Sequence, residues 1–207
     1  MAVLLTLSGG FLDAFTWLAH GNVLANTQSA NVVLLGVYTA LGKWPEAFRH
    51  IPPIVAFVLG AFTAAWLRAH AHDAGRRVSL LLEIALLFAV MVLHEQLPST
   101  GVTLLISFAA AVQTTRFVKV EGWTFSSVMT TGNLRHSTEA FFAGLFDRAQ
   151  PHAFREARVF AMICMTFGLG ATIGAFATSH LSGGAALAVP VLLLGTALLV
   201  CEVKERA

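Results

Sequence analysis

The chain has 207 residues, of which 57% are hydrophobic and only 12% are charged. This composition, with a mean hydropathy of +0.74, is typical of integral membrane proteins and excludes an ordinary soluble domain. The net charge is only +2, and the Lys and Arg residues lie in short clusters between apolar segments, so we expect a lipid bilayer, and no nucleic acid, as a partner.

The first predicted element is a transmembrane helix over residues 2–19, which lacks the basic start of a cleaved signal peptide. Asp13 lies in the interior of this stretch, and a rise of about 1.5 Å per residue places it near the middle of the hydrocarbon layer. An ionised, unpaired carboxylate there costs at least a few kcal/mol. A bound cation, protonation, hydrogen bonds to a cluster at Asn31, or an ion pair with Arg116 or Arg135 would each compensate.

The second element, residues 27–42, is partly apolar but opens with amides and hydroxyls in the stretch "NTQSANVVLLG". Irregular backbone at lipid depth is tolerated only where protein buries it or water reaches it. We therefore expect a broken or re-entrant segment whose helix N-terminus and polar side chains face the protein centre. Structural hydrogen bonding between helices is the alternative role for these side chains.

Further apolar stretches predict five more transmembrane helices, and residues 126–146 repeat the pattern of a polar cluster followed by an apolar segment. The five stretches are residues 51–67, 78–93, 102–115, 159–178 and 185–201. The predicted fold is therefore an all-α integral membrane protein with six transmembrane helices plus two broken or re-entrant segments. Glu83 lies inside one of these stretches, and we expect it to snorkel to the interface or to pair with a loop arginine.

The distribution of Lys and Arg predicts that both termini are cytoplasmic. With six spans, only Lys43 and Arg49 lie on the side opposite to the other basic residues, as the positive-inside rule requires. If both polar-then-apolar segments crossed fully, the chain would have eight spans. The basic residues between 148 and 158 would then move outside, and most of the bias would be lost.

An internal repeat divides the chain into residues 1–97 and 98–207. "NTQSANVVLLG" resembles "VMTTGNLRHST" when Asn31 is aligned with Asn133. Each half then reads as a span, a polar break, a span rich in small residues and a plain span. Three crossings per half is an odd number, so the second half is inverted. Inverted repeats with interrupted segments indicate a midplane binding site in secondary transporters.

The predicted substrate site consists of polar side chains at or near the two breaks. They are Asp13, Asn26, Thr27, Gln28, Asn31, Gln113, Thr130, Thr131 and Asn133. We predict no metal or cofactor, because His136 and Glu139 lack the second motif that a bundle metal site requires. No nucleophile elbow and no pair of carboxylates flanking a cleft is recognisable, so we do not expect an enzyme.

Two segments of the chain resemble a known family. "GGFLDAFTWLAHGNVLANTQSANVVLLG" and "AAVQTTRFVKVEGWTFSSVMTTGNL" are similar to the YoaK family of small bacterial inner-membrane proteins, a domain of unknown function. The residues that carry the resemblance are Gly10, Asp13, Ala14, Gly21, Asn26, Thr27, Asn31, Gln113, Thr131, Gly132 and Asn133. Ala30 departs from the glycine that is usual at its position. The resemblance implies a multi-pass protein of the bacterial inner (plasma) membrane and no particular activity.

The sequence favours a secondary transporter of a small polar solute, coupled to protons or cations through Asp13. The alternative is a channel for a small solute or ion, lined by two opposed half-helices. A membrane-embedded enzyme is a minor third hypothesis. Because about 200 residues is small for a transporter, a homodimer is a further expectation.

Overall fold

The computed structural model describes residues 1–70, 75–146, 151–181 and 183–206, without the side chains of residues 183 and 204–206. Arg148 and the side chains of Lys204 and Arg206, three of the basic residues predicted to be cytoplasmic, therefore lie outside the described part. Helices dominate these ranges. They are α1 (Ala2–Ala19), α2 (Gln28–Ala40), α3 (Trp44–Phe48), α4 (Ile51–His70), α5 (Gly75–Leu93), α6 (Ser99–Arg116), α7 (Thr130–Phe146), α8 (Ala153–His180) and α9 (Ala188–Arg206), with a short 3-10 helix at Gly183–Leu187.

Four helical segments in the described residues are long and apolar enough to cross a bilayer. They are Ala2–Ala19, Trp44–His70, Ala153–His180 and Gly184–Val203. Each coincides with a predicted span. The other two predicted spans correspond to α5, which carries Arg76, Arg77 and Glu83, and to α6, which is rich in Ser and Thr. The structure therefore supports an α-helical membrane protein, and six spans stays a prediction.

The outer surface of the bundle is apolar, as a lipid-facing surface should be. Phe62 on α4, Met165 on α8 and Leu192 on α9 are each about 70% exposed. Clusters of large exposed apolar side chains are rare on soluble monomers. Their position on long helices agrees with burial in lipid.

Each of the two segments that pass from polar to apolar contains a short helix that begins within the polar cluster. Helix α2 has 13 residues, or about 20 Å, and α7 has 17 residues, or about 25 Å. Both are shorter than the roughly 30 Å hydrocarbon core.

Between α1 and α2 the chain turns at Gly21 and Asn22, whose φ values of 77° and 58° lie in the left-handed region, where glycine and asparagine are tolerated best. We call residues 20–27 the first break and residues 117–129 the second break.

The second break contains the single departure from an all-α fold in the described residues. Strands β1 (Lys119–Val120) and β2 (Trp123–Thr124) pair in antiparallel fashion. The two loop residues between them, Glu121 and Gly122, have φ values of 49° and 96°. Two consecutive left-handed residues form the turn that best matches the twist of a hairpin. The prediction of an all-α chain missed this hairpin because its strands have only two residues each.

Glycines allow two pairs of helices to pack closely. Helix α1 packs along α8, and α6 packs along α4. A β-carbon at Gly10 or at Gly170 would collide with a carbonyl oxygen of the facing helix, that of Phe167 or of Leu7. A β-carbon at Gly60 would meet α6 in the same way. The small residues predicted on the second span of each half thus lie at intramolecular contacts, as expected for membrane helices.

The apolar core lies between α1, α5, α6 and α9. Phe11 and Phe15 of α1, Leu87 of α5, Ile106 of α6 and Leu194 of α9 are fully or almost fully buried there. Helix α5 also packs on α6, and α9 packs on α1. Polar side chains are buried alongside this core, and they form the candidate site.

Candidate functional site

The carboxylate of Asp13 joins the interior of α1 to the first break. Its Oδ1 accepts a hydrogen bond from the backbone N–H of Asn26 at 2.8 Å, and its Oδ2 accepts one from the Thr27 hydroxyl at 2.7 Å. The residue is only 5% exposed. Asp13 therefore determines where the chain must lie just before α2 begins.

Asp13 forms no ion pair with Lys, Arg or His within the described residues. Two arginines were predicted as partners of Asp13. The Nε of Arg135 lies 3.8 Å from Oε1 of Glu139, and the guanidinium of Arg116 lies against Gly75. The ion-pair alternative is therefore wrong. The hydrogen-bonded alternative holds with a different partner, because the donors are Asn26 and Thr27 and not Asn31.

Asn26 continues this connection but leaves one atom without a partner. Its Nδ2 donates to the carbonyl oxygen of Gly9 at 2.7 Å. Its Oδ1 is buried and accepts no hydrogen bond in the described structure, and the same is true of the hydroxyls of Thr6 and Ser8 on α1. Each unsatisfied buried polar atom costs about 1–3 kcal/mol. Three such oxygens on one helix and the adjoining break mark a polar interior that the protein's own hydrogen bonds do not fully occupy.

Gln28 and Asn31 stabilise the start of α2. The Nδ2 of Asn31 donates to the carbonyl of Leu24 at 2.7 Å and to Gln28 Oε1 at 3.0 Å. Gln28 in turn donates to the carbonyl of Ala25 at 2.7 Å. These two predicted site residues therefore supply partners to the irregular backbone.

His50, which the sequence analysis did not single out, completes the Asn31 cluster. Its Nδ1 lies 3.0 Å from Asn31 Oδ1, and its ring stacks on Tyr38 with centroids 5.7 Å apart. The residue is almost fully buried. No local sequence signal could have placed it there, because it lies outside the repeated motif and between two helices.

A second buried carboxyl group, Glu83, is connected to the second break through Gln113. With the amide oriented to satisfy both neighbours, Gln113 donates to Glu83 Oε1 at 2.6 Å and accepts from the Ser127 hydroxyl at 2.7 Å. Glu83 is 1% exposed. The prediction that Glu83 snorkels or pairs with a loop arginine is therefore wrong, since its face of α5 is turned toward α6.

Asn133 holds the second break much as Asn31 holds the first. Its Nδ2 donates to the carbonyls of Ser126 at 2.6 Å and Met129 at 2.9 Å, and its Oδ1 accepts from the backbone N–H of Ser126 at 3.2 Å. Each asparagine thus reaches a carbonyl seven residues earlier in the chain. The alignment of Asn31 with Asn133 therefore joins two residues that make the same contact.

Thr130 and Thr131 do not join this buried network. Thr131 is exposed and Thr130 is half-buried, and the carbonyl of Thr130 lies 3.8 Å from the thiol of Cys164. The first turn of α7 leaves Thr131 exposed, outside the Asn133 network, so its substrate-binding role stays a prediction. Thr114, which was not predicted, lies closer to the network, with its hydroxyl 3.1 Å from that of Ser126.

The two breaks approach each other at Gly9 of α1. The carbonyl of Gly9 accepts the hydrogen bond from Asn26 in the first break. A β-carbon on Gly9 would lie 2.7 Å from the carbonyl oxygen of Ser127 in the second break. Only glycine allows this close approach. The first break also touches the other half, because Ser107 of α6 donates to the carbonyl of Ala25 at 2.7 Å.

Three pockets are described, and none of them is lined by the predicted site residues. One, of about 240 Å³, lies at the end of α1. A second, of about 330 Å³, lies beside the hairpin, and a third, of about 420 Å³, lies between α7 and α8. Asp13 and Gln113 are only 5% and 1% exposed, so their polar network is packed against protein in this conformation.

No group of three or more His, Cys, Asp or Glu side chains in the described ranges is placed to bind a metal ion. His136 lies 2.6 Å from Glu156, which is on α8, whereas Glu139 lies near Arg135. His136 and Glu139 therefore lie beside different charged partners.

Comparison with known proteins identifies the family. A family described as "Protein of unknown function (DUF1275)" matches residues 1–200. The chain belongs to the DUF1275 family. The chain is also similar to the "UPF0700 transmembrane protein YoaK" of Bacillus subtilis (strain 168), with 28% identity over 184 residues, covering 84% of this chain and 81% of the relative. No solved structure matches the chain. The resemblance to the YoaK family is thus confirmed, and a transmembrane location is supported for this DUF1275 protein.

Proposed function

We propose that this DUF1275 protein is a secondary transporter of a small polar solute, coupled to proton movement through Asp13. The observation that carries the proposal is the Asp13 carboxylate, which is buried in α1, has no cationic partner among the described residues and holds the first break through both oxygens. Intramembrane carboxyls in such positions are typical of proton relays and coupling sites. The proposal includes no enzymatic activity.

Protonation of Asp13 would change the contacts of the first break. An ionised carboxylate accepts two hydrogen bonds, one from Asn26 and one from Thr27. Once protonated, the carboxyl becomes a donor at one oxygen and weakens at least one of these bonds. The chain just before α2 would then be released from α1, which links proton binding to movement of the short helix.

Packing supports two inverted halves of three spans each. Helices α1, α2, α4 and α5 of the first half correspond to α6, α7, α8 and α9 of the second. The packing of α1 along α8 corresponds to that of α6 along α4, and α9 on α1 corresponds to α5 on α6. Such reciprocal contacts are expected of two copies related by a two-fold axis.

Two contacts favour six spans over eight. His20 and Arg49 line one pocket, although a fully crossing α2 would put them on opposite sides of the bilayer. Arg155 donates to Glu121 at 2.9 Å, although a fully crossing α7 would separate these two residues in the same way. With both termini cytoplasmic in a bacterial inner membrane, His20 and Arg49 face outward, whereas Glu121 and Arg155 face the cytoplasm.

The unsatisfied oxygens of Thr6, Ser8 and Asn26 support a polar solute. When the halves move apart, these atoms and the main-chain groups near Gly9 can contact a solute that carries N–H or O–H groups. A neutral or zwitterionic molecule with several hydrogen-bonding groups is the best match. In the conformation described, the same groups are closed off.

The test is solute-dependent proton movement in proteoliposomes that contain a trapped pH-sensitive dye. Pools of amino acids, sugars and polyols serve as the solutes, and Asp13→Asn is compared with Glu139→Gln, which makes an equivalent change at an exposed carboxylate. We expect at least one pool to move protons with the wild type and Glu139→Gln, and a loss of about tenfold or more in Asp13→Asn.

Solute flux that is insensitive to the gradient and to Asp13→Asn would contradict coupled transport. If that flux also exceeded carrier rates by orders of magnitude, the channel alternative would replace the proposal.

A further inference from the structure

A pocket at the end of α1 has the features of a binding site separate from the Asp13 network. It has a volume of about 240 Å³ and lies where the first break, the end of α3 and the start of α6 meet. The residues that line it are His20, Gly21, Val23, Arg49, Ser99, Thr100 and Thr103. All of them except Gly21 and Val23 carry hydrogen-bonding or charged side chains.

Hydrogen-bond donors and positive charge converge on this pocket. Ser99 and Thr100 are the first two residues of α6, and the backbone N–H groups at a helix start have no partner within the helix. The N-terminal end of this 18-residue helix also carries a partial positive charge. Arg49 adds a full charge, and no carboxylate of the described residues pairs with it.

His20 is an independent sign that the pocket binds a ligand. The residue is only 5% exposed, and neither of its ring nitrogens has a hydrogen-bond partner in the described structure. Its ring packs on Phe15 and His94, with centroids 5.0 and 5.2 Å away. A buried donor without an acceptor is costly. Both ring nitrogens are enclosed by protein in the described structure, and the ring would gain an acceptor by turning toward a ligand in the pocket that His20 lines.

His20 also limits the charge of the ligand. Burial, and to a smaller extent the nearby His94, lower the pKa of His20 to about 4. The ring is therefore neutral at pH 7 and adds no charge to the pocket. With Arg49 as the one full positive charge lining the pocket, the balance favours a single negative charge on the ligand.

We propose that this pocket binds a small oxyanion, a carboxylate or a phosphate group, between Arg49 and the N-terminus of α6, with the Ser99 and Thr100 hydroxyls as further donors. Helix N-termini and arginine side chains are the usual partners of such groups. The ligand is a free anion and not a lipid headgroup, because the pocket is small and lined mostly by polar side chains. The inference is independent of transport, since it concerns equilibrium binding.

The experiment is isothermal titration of the purified full chain in a neutral maltoside detergent, with sodium acetate and sodium phosphate added at constant ionic strength. We expect saturable binding of at least one anion, weakened about tenfold or more by Arg49→Gln. Lys43→Gln is the matched control, because Lys43 is an exposed cation close to Arg49 in the chain that does not line the pocket. The affinity of the Lys43→Gln variant for the anion should stay within about twofold of that of the wild type.

Ser99→Ala provides a second variant that removes one donor without changing charge, and it should weaken binding about three- to tenfold. Absence of saturable binding to the wild type, or an equal loss in Arg49→Gln and Lys43→Gln, would overturn the proposal. A separate arm adds phosphatidylglycerol to the micelles. Binding of that lipid without any response to acetate or phosphate would also overturn it, in favour of a headgroup site.

Discussion

At the scale of single residues, Gly9 illustrates how the site depends on the absence of a side chain. Its carbonyl accepts from Asn26, and its α-carbon faces the carbonyl of Ser127. Asp13, which lies one turn further along α1, binds the first break through the backbone N–H of Asn26. One helix face therefore positions both irregular segments.

Substituting Gly9 with alanine should destabilise the protein. The new β-carbon would lie 2.7 Å from the Ser127 carbonyl oxygen, and backbone cannot yield as a flexible side chain does. We expect a loss of about 1–3 kcal/mol in the free energy of unfolding, measured as a lower Tm in detergent. Gly168→Ala is the control, because its β-carbon would meet nothing within 4 Å, and it should be neutral or slightly stabilising. Equal Tm values for both variants would show that the breaks do not approach closely at Gly9.

At the scale of helices, the Glu83–Gln113–Ser127 connection ties three elements together. Glu83 lies on α5, Gln113 on α6 and Ser127 in the second break. Asp13 performs the equivalent task at the first break without an intermediate residue. Each break is therefore linked to a buried carboxyl group, directly in one half and through an amide in the other.

Gln113→Leu should destabilise the protein strongly. It removes the donor to Glu83 and leaves a buried carboxyl group without this partner, which costs about 3–5 kcal/mol when the group is ionised. Glu83→Gln keeps the shape and can still bond to Gln113, so its Tm should change little. The double variant Glu83→Leu with Gln113→Leu should recover part of the loss. If Gln113→Leu and Glu83→Gln had the same Tm, the hydrogen bond would carry little stability.

At the scale of the whole molecule, the arrangement of the helices determines which chain ends share a side. The pocket at the end of α1 gathers residues from the first break, α3 and α6. The ion pair of Arg155 and Glu121 joins the start of α8 to the hairpin. The two groups are the proposed outer and cytoplasmic ends of the bundle.

Cysteine labelling of intact cells tests this layout. Single cysteines at Lys43, Arg76 and Arg155 are introduced after Cys164 and Cys201 have been replaced by alanine, and all three positions are exposed. A membrane-impermeant maleimide should label Lys43→Cys directly, and it should label Arg76→Cys and Arg155→Cys only after permeabilisation. Labelling of both Lys43→Cys and Arg155→Cys in intact cells, with Arg76→Cys still protected, would instead indicate eight spans.

Features that arise from composition and from short stretches of chain could be predicted from the sequence. Apolar content is sufficient to assign a membrane protein, and the polar clusters at the starts of α2 and α7 mark the places where the backbone is irregular at lipid depth. Asn31 and Asn133 could be paired because each bonds to a carbonyl only seven residues away. The motif also carried the family resemblance.

Contacts between side chains that are distant in the chain became visible only in the folded structure. The sequence did not show that Asp13 bonds to Asn26 and Thr27, that Glu83 is buried against Gln113, that Thr131 faces outward, or that His20 and Arg49 share a pocket. A membrane helix that is apolar on all sides has little periodicity, so its rotation cannot be inferred from its own sequence. That rotation is set by close packing against helices from the other half of the chain, which brings Gly9 to Ser127 and Glu83 to Gln113.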